Sequence, residues 1–245
     1  MENIGRLFMS KTRYQELQPS EQNRGLPQPP LELPYPPEVS LIDLPKPEDL
    51  PEYGMEVRTA IERRQSLRQY QDEALSIEAL TYLLWCTQGV KKLTKRPVTF
   101  RTVPSAGARH AFETYILANR VAGLPAGLYR YIALKHALLV IDLSPGLANE
   151  ITHACFDQEM VQTGAATFIW VAVVERMYWR YGERGYRYLH LDAGHVCQNL
   201  YLAAETMDCG ACAIAAFDDD LLNSALKLDG ERLFAIYLAS LGKRP

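Results

Sequence analysis

The 245-residue sequence predicts an α+β or α/β domain carried behind a proline-rich arm, on three observations. Stretches with helical spacing of apolar residues alternate with short β-rich apolar runs. Hydrophobic residues make up 48% of the chain and charged residues 22%, the balance of a globular core under a solvated surface. The prolines crowd into the first 54 residues, which sets 1–54 apart as an arm and 55–245 as the folded domain.

Within the arm, LPQPPLELPYPPEVSLIDLPKPEDLPE (26–52) cannot be helical. Proline lacks an amide donor and disfavours helix at the residue before it, so the segment is extended, either disordered or draped over the domain or a partner subunit. From Met55, MEVRTAIERRQS reads as a helix running into an arginine cluster. Ser76 is a good N-cap for SIEALTYLLWCTQGV, whose Ile77, Leu80, Leu83 and Leu84 share one helical face. FRTVPSAGARHAFETYILANRV passes from a turn-rich loop into a strand at 114–118. GLYRYIAL and HALLVIDL flank a polar step at Lys135 as a hairpin. Residues 151–165 read as helix, and the β-rich run TFIWVAVV (167–174) suits a central strand. LHLDAGHVCQNLYLAAETM (189–207) is the longest helix, with Val196, Leu200, Ala203 and Ala204 at helical spacing and Gly194 open to a close neighbour. ACAIAAF then gives a short strand or turn, DDDLLNSAL a helix, and LFAIYLASLG the last strand.

Several function classes fall away. The formal net charge is −3 and no basic tract occurs, so the footprint of a nucleic-acid binder is missing. No apolar run reaches the ~18 residues of a membrane span, and the N-terminus lacks the apolar core of a secretory signal. Five cysteines, an odd number, favour free thiols in a reducing compartment, so the expected location is cytoplasmic. The Cys209–Cys212 pair has no second ligand pair at zinc spacing, which makes it a buried structural feature. His190 and His195 miss the i, i+4 spacing of zinc ligands, and Asp218–Asp220 fit a helix N-terminus, so no metal site is expected.

One stretch stands out. RRQSLRQY (63–70) gathers three arginines around a serine in a mildly acidic chain, which suits either a solvated helix end or a cradle for a phosphorylated ligand. Further blocks decide between these: PSAGARHAFETYI (104–116), GLYRY (127–131), RYGERGYRYLHLDAGHVCQNLYLAAE (180–205), CAIAAFDDD (212–220) and YLASLGK (237–243). In this order, from about Arg63 to the end, the chain resembles the FMN-dependent nitroreductase-like superfamily. Within it, the chain is most similar to the SagB-type dehydrogenases, a group that includes thiazole/oxazole-forming oxidases.

The resemblance implies an α+β fold, a mixed central sheet flanked by helices, built as an intertwined homodimer with FMN at the subunit interface. It implies that Arg64, Gln65 and Ser66 hold the FMN phosphate end and that Arg68 sits near N1 and O2 of the ring, where negative charge develops on reduction. Pro104, Ser105, Ala106 and Gly107 match a loop that approaches the flavin from the neighbouring subunit. Ala215 and Ala216 match a segment whose amides pass the ring, and Lys243 and Arg244 match a basic pair that reaches the phosphate. The implied activity is hydride transfer through flavin N5 on a small electron-poor molecule or a peptide-derived heterocycle, with NAD(P)H or oxygen as redox partner. The alternative is a flavin-fold scaffold or docking subunit with little chemistry of its own.

At Arg180 and Tyr181 the chain departs from the azoline oxidases it resembles, which carry a Lys-Tyr pair there. Lysine can be tuned to a neutral base; arginine stays protonated. Tyr181 remains as the acid or donor, and Arg180 is free to bind an anionic substrate or to fix its loop by pairing with Glu175 or Glu183.

Overall fold

The structure, a computed structural model, describes residues 3–245. Its centre is a seven-stranded sheet in the order β1-β6-β5-β4-β7-β9-β8. The strands are β1 (Ile42–Asp43), β4 (Phe112–Ala118), β5 (Gly127–Ile132), β6 (Ala137–Asp142), β7 (Ala166–Val173), β8 (Cys209–Ile214) and β9 (Leu233–Lys243). A separate ribbon pairs β2 (Val90–Leu93) with β3 (Thr99–Arg101).

Strand β7 sits between β4 and β9, and all eight of its residues are buried. Its side chains alternate between two apolar cores, as a strand covered on both faces must. Phe168, Trp170 and Ala172 join one core, under α3 (Ile77–Gln88) and α7 (Gly185–Glu205). Ile169 and Val171 join the other, under α4 (Leu147–Ala154) and α8 (Asp219–Ala225). Ser76 caps α3 by accepting from the Ala79 amide, and Asp218 caps α8 by accepting from that of Leu221.

The sheet departs from expectation in one respect. It is antiparallel at every strand pairing rather than mixed. Among the described residues, parallel geometry enters through isolated bridges only, of which Ser66 with Ala211 lies at β8.

The expected helix over 151–165 is broken. α4 ends at Ala154 and α5 (Met160–Thr163) begins six residues later, because Phe156 and Asp157 both take left-handed backbone with φ of 55°. The Gln158 side chain then bonds the Cys155 and Ala216 carbonyls and holds the turn. All five cysteines are free, and both members of the Cys209–Cys212 pair are buried in β8.

The arm lies on the domain. After α1 (Ile4–Lys11) it runs across α6 (Val174–Tyr181) and then contributes β1, which pairs Ile42 with Leu138. Its carbonyls accept bonds from buried arginines: Arg176 Nε to Pro30 O at 2.8 Å, and Arg130 Nη2 to Leu33 O at 3.0 Å and Pro34 O at 3.2 Å. Arg176 also pairs at 2.5 Å with the buried Glu113, whose carboxylate accepts from the Leu33 amide. A proline-rich strap suits this contact, because it offers carbonyls with few amide donors of its own to satisfy.

Candidate functional site

The arginine cluster begins where α2 (Val57–Arg63) stops. Arg64 leaves helical geometry (φ −53°, ψ 122°) and the chain continues extended. It is fixed beside the sheet by Leu67 N–H to Ala211 O at 2.9 Å and Gln71 N–H to Lys243 O at 3.1 Å. Two glycines make this approach possible. A Cβ on Gly210 would lie 2.6 Å from Leu67 Cδ2, and one on Gly242 would lie 2.7 Å from Tyr70 Cγ. With Leu67 turned to the sheet, the alternation of an extended chain puts Arg64, Ser66 and Arg68 on the opposite side.

Tyr201 of α7 organises that side. Its hydroxyl is 3.0 Å from Ser66 Oγ and accepts from the Ala213 amide at 2.8 Å, while the Arg64 guanidinium lies over its ring, 5.2 Å from the centroid. Arg244 pairs with the buried Glu205, and Arg63 faces Glu205 at 3.8 Å and Asp208 at 3.6 Å. Lys243 Nζ donates to Met207 O at 3.2 Å. Among the described residues no carboxylate pairs with Arg64, Arg68 or Lys243, and Arg244 Nε is buried without a partner. Unmatched cations beside a serine hydroxyl fit a doubly charged phosphate. Ala215 and Ala216 follow β8 and are exposed, with the Ala216 carbonyl accepting from Gln158.

A second group forms around the 104–107 loop. Ser105 Oγ accepts from the His110 amide at 2.9 Å, and the Ala106 amide donates to the Asp192 carboxylate at 3.2 and 3.3 Å. Burial raises the Asp192 carboxyl above its usual range. Gly107 has φ of 56°, a left-handed conformation, and a Cβ there would lie 2.5 Å from the Tyr181 hydroxyl and 2.7 Å from Arg180 Nε. The exposed Pro104 starts this loop. The loop, Arg180 and Tyr181 are therefore in direct contact within one chain.

Neither carboxylate expected beside Arg180 pairs with it. Glu175 binds Arg232, and Glu183 accepts from the Tyr178 hydroxyl. Arg180 Nη1 instead donates to the neutral amide oxygen of Gln22, in the arm, at 3.1 Å.

The two groups do not converge within the chain. Asp192 and Tyr201 are nine residues apart on α7, which separates them by about 13 Å and about half a turn, on opposite faces. Between those faces runs an uncovered stripe of Leu191, Gly194, His195 and Gln198, with Leu191 59% exposed. Sequence reasoning missed Tyr201, Asp192 and Glu205. A usable signal existed in the i, i+4 spacing of Tyr201 and Glu205, which puts both on one face.

The sequence profile of the Nitroreductase family matches residues 61–243. A Methanocaldococcus jannaschii protein with a provisional nitroreductase name is 34% identical over 68% of this chain and 81% of that protein. The trifolitoxin-processing protein TfxB of Rhizobium leguminosarum bv. trifolii is 30% identical over 53% of this chain and 36% of its own length. Among solved structures, an Anabaena variabilis protein, also provisionally named a nitroreductase, superposes with a TM-score of 0.71 at 28% identity, covering 85% of this chain and 42% of that one. A Desulfovibrio desulfuricans relative, solved in complex with FMN, gives 0.54 at 20% identity over 78% of this chain and 93% of its own, a likeness of fold. The chain spans less than half the length of the Anabaena and Rhizobium proteins.

Proposed function

The chain belongs to the nitroreductase family, and from that premise we propose that it is an FMN-dependent oxidoreductase of the SagB-type dehydrogenase kind. It works as a homodimer with the flavin between two chains, on a small electron-poor molecule or a peptide-derived heterocycle. NAD(P)H serves as electron donor in the reducing direction. Residues 55–245 form the flavin-binding domain and 1–54 the arm. Similarity to a trifolitoxin-processing protein supports a peptide-derived substrate.

Bound FMN would supply two-electron hydride chemistry at its N5 atom. The chain supplies the rest. Arg64 and Lys243 offer unmatched positive charge for the phosphate, and Gln65 and Ser66 add hydrogen-bonding groups beside it. Arg68 is a further cation on the same side of the extended run, suited to the negative charge that reduction creates. Arg244 holds the tail through Glu205. The small residues Ser105, Ala106 and Gly107 after Pro104, and Ala215 and Ala216 after β8, let backbone approach a planar ring. Tyr181 donates a hydrogen bond to substrate, while Arg180 keeps its proton and so acts through charge rather than as a base.

One observation carries the shared site: the two groups flank the uncovered stripe of α7 from opposite sides. A second copy laid antiparallel along that stripe, about a two-fold axis, brings the Asp192 end of one helix to the Tyr201 end of the other. Each phosphate cradle then meets a 104–107 loop from the opposite chain.

Fluorescence titration with FMN and riboflavin tests the cradle, since the two differ only in the phosphate. Arg64→Gln is expected to weaken FMN binding at least tenfold, a modest loss for charge-assisted bonds, while riboflavin binding changes little. Equal affinity of the wild type for both flavins would remove Arg64 and Ser66 from the phosphate.

A further inference from the structure

Three arginines gather near Tyr181 without an acid to match them. Arg180 gives one bond, to the Gln22 amide oxygen. Arg184 donates to the Tyr188 hydroxyl and the Thr12 carbonyl, and stacks on the Tyr14 ring at 4.3 Å. Arg109, only 6% exposed, donates to Gly107 O and lies over the Trp179 ring. Burial and the neighbouring Arg180 charge both lower the Arg109 pKa, so the region is short of negative charge. None of the three forms an ion pair with a carboxylate among the described residues. The acids nearby are placed elsewhere: Glu175 on Arg232, Glu183 on Tyr178, and Glu16, Glu21 and Glu183 around an adjoining groove. Complementing the C-terminal dipole of α6 accounts for one cation there and not for three.

Arg180, Tyr181 and Arg184 open into a cleft of about 490 Å³, a volume in the range of small-molecule sites. Its other wall is the arm, through Tyr14, Pro19 and Gln22. The Gln22 backbone is itself anchored, its main-chain N–H donating to Trp179 O at 2.8 Å, and Trp179 Nε1 donates to Leu26 O at 2.9 Å. The arm therefore forms a fixed side of the cleft.

We propose that this arm-walled cleft binds the carboxylate of an anionic substrate, with the Arg180 fork and the Tyr181 hydroxyl in contact with it and Arg184 and Arg109 adding charge around it. The substrate role rests on the flavoenzyme reading above. A planar fork matches the two oxygens of a carboxylate. A carboxylate is favoured over a phosphate dianion because Arg180 stands in the last turn of α6, where free helix carbonyls repel a second negative charge. The same chemistry accounts for arginine at the position where the azoline oxidases that the chain resembles carry lysine: the site keeps a permanent cation and gives up a tunable base.

The test is calorimetric titration of the purified full chain, with its FMN content measured, against 4-nitrobenzoate and its neutral isostere 4-nitrobenzamide. The carboxylate is expected to bind roughly tenfold or more tightly than the amide. That preference is lost in Arg180→Gln. It is lost also in Gln22→Glu, which leaves every arginine in place but supplies the missing acid from the arm. Equal binding of the two probes by the wild type overturns the proposal, as does a preference that survives both substitutions. Tighter binding of 4-nitrophenyl phosphate than of 4-nitrobenzoate overturns the carboxylate assignment. A flavin-loaded protein without the preference refutes this inference alone, whereas a preference in protein that cannot take up FMN refutes the flavoenzyme reading and leaves the anion site standing.

Discussion

Replacing Tyr201 with phenylalanine removes one oxygen atom and tests the hub that joins three elements. The hydroxyl accepts from the Ala213 amide of β8 and shares a hydrogen bond with Ser66 of the arginine segment. Ser66 is exposed, so water can replace its lost partner at little cost. The Ala213 amide is only partly exposed, and leaving such a donor unpaired costs about 1–3 kcal/mol. The phenyl ring keeps its packing and the stacked Arg64. The net loss is therefore about 2 kcal/mol, which for a chain of this size lowers Tm by about 4–8 °C. FMN affinity falls as well, because Ser66 loses its tether, and the loss is larger for FMN than for riboflavin. Thermal unfolding followed by circular dichroism reads the first effect, and flavin fluorescence titration the second. A Tyr201→Phe protein with wild-type Tm and unchanged FMN affinity would show that this hydroxyl positions nothing.

Three other perturbations follow from the same geometry. Gly107→Ala forces a left-handed alanine, at about 1 kcal/mol or more, and drives its methyl group against Tyr181 and Arg180; a lowered Tm together with weakened 4-nitrobenzoate binding is expected. Glu205→Gln strips the buried partner from Arg244 and should cost about 3 kcal/mol in urea unfolding. His110 is held neutral, chiefly by burial, with its pKa pushed down to about 3 from an ordinary value near 6.5. Between those values the unfolded chain binds the extra proton, so this group's contribution is intact above pH ~6.5 and is lost as pH falls towards 3. At pH 5 the loss is about 2 kcal/mol relative to pH 7, and His110→Asn, which tolerates the left-handed backbone at this position, should flatten that part of the pH dependence in urea unfolding.

Much of the fold was written in local patterns. Ser76 and the apolar spacing after it define α3, the unbroken β-rich run defines β7, and the polar step at Lys135 places the β5–β6 turn. These features depend on nearby residues, so sequence reasoning reaches them. The break after Ala154 does not, because Phe156 and Asp157 adopt left-handed backbone with no glycine to announce it, held by Gln158 reaching across to Ala216. β1 is two residues long, too short for any periodicity, and exists because β6 offers it a free edge. The arginine segment was conspicuous through composition alone. Its partners Tyr201 and Glu205 lie more than a hundred residues away in the sequence and come near it only through the packing of α7. The arm's course over Arg176 and Arg130 was illegible for the same reason, since its anchors are buried arginines that composition counts as surface charge.

The proposed flavin cradle is completed only by a second copy of the chain. Mass spectrometry under native conditions reads both parts at once: the predicted species is a dimer, at twice the 27.7 kDa chain mass, carrying two FMN molecules and losing them when it is driven to monomer. A monomer that keeps one tightly bound FMN would contradict it.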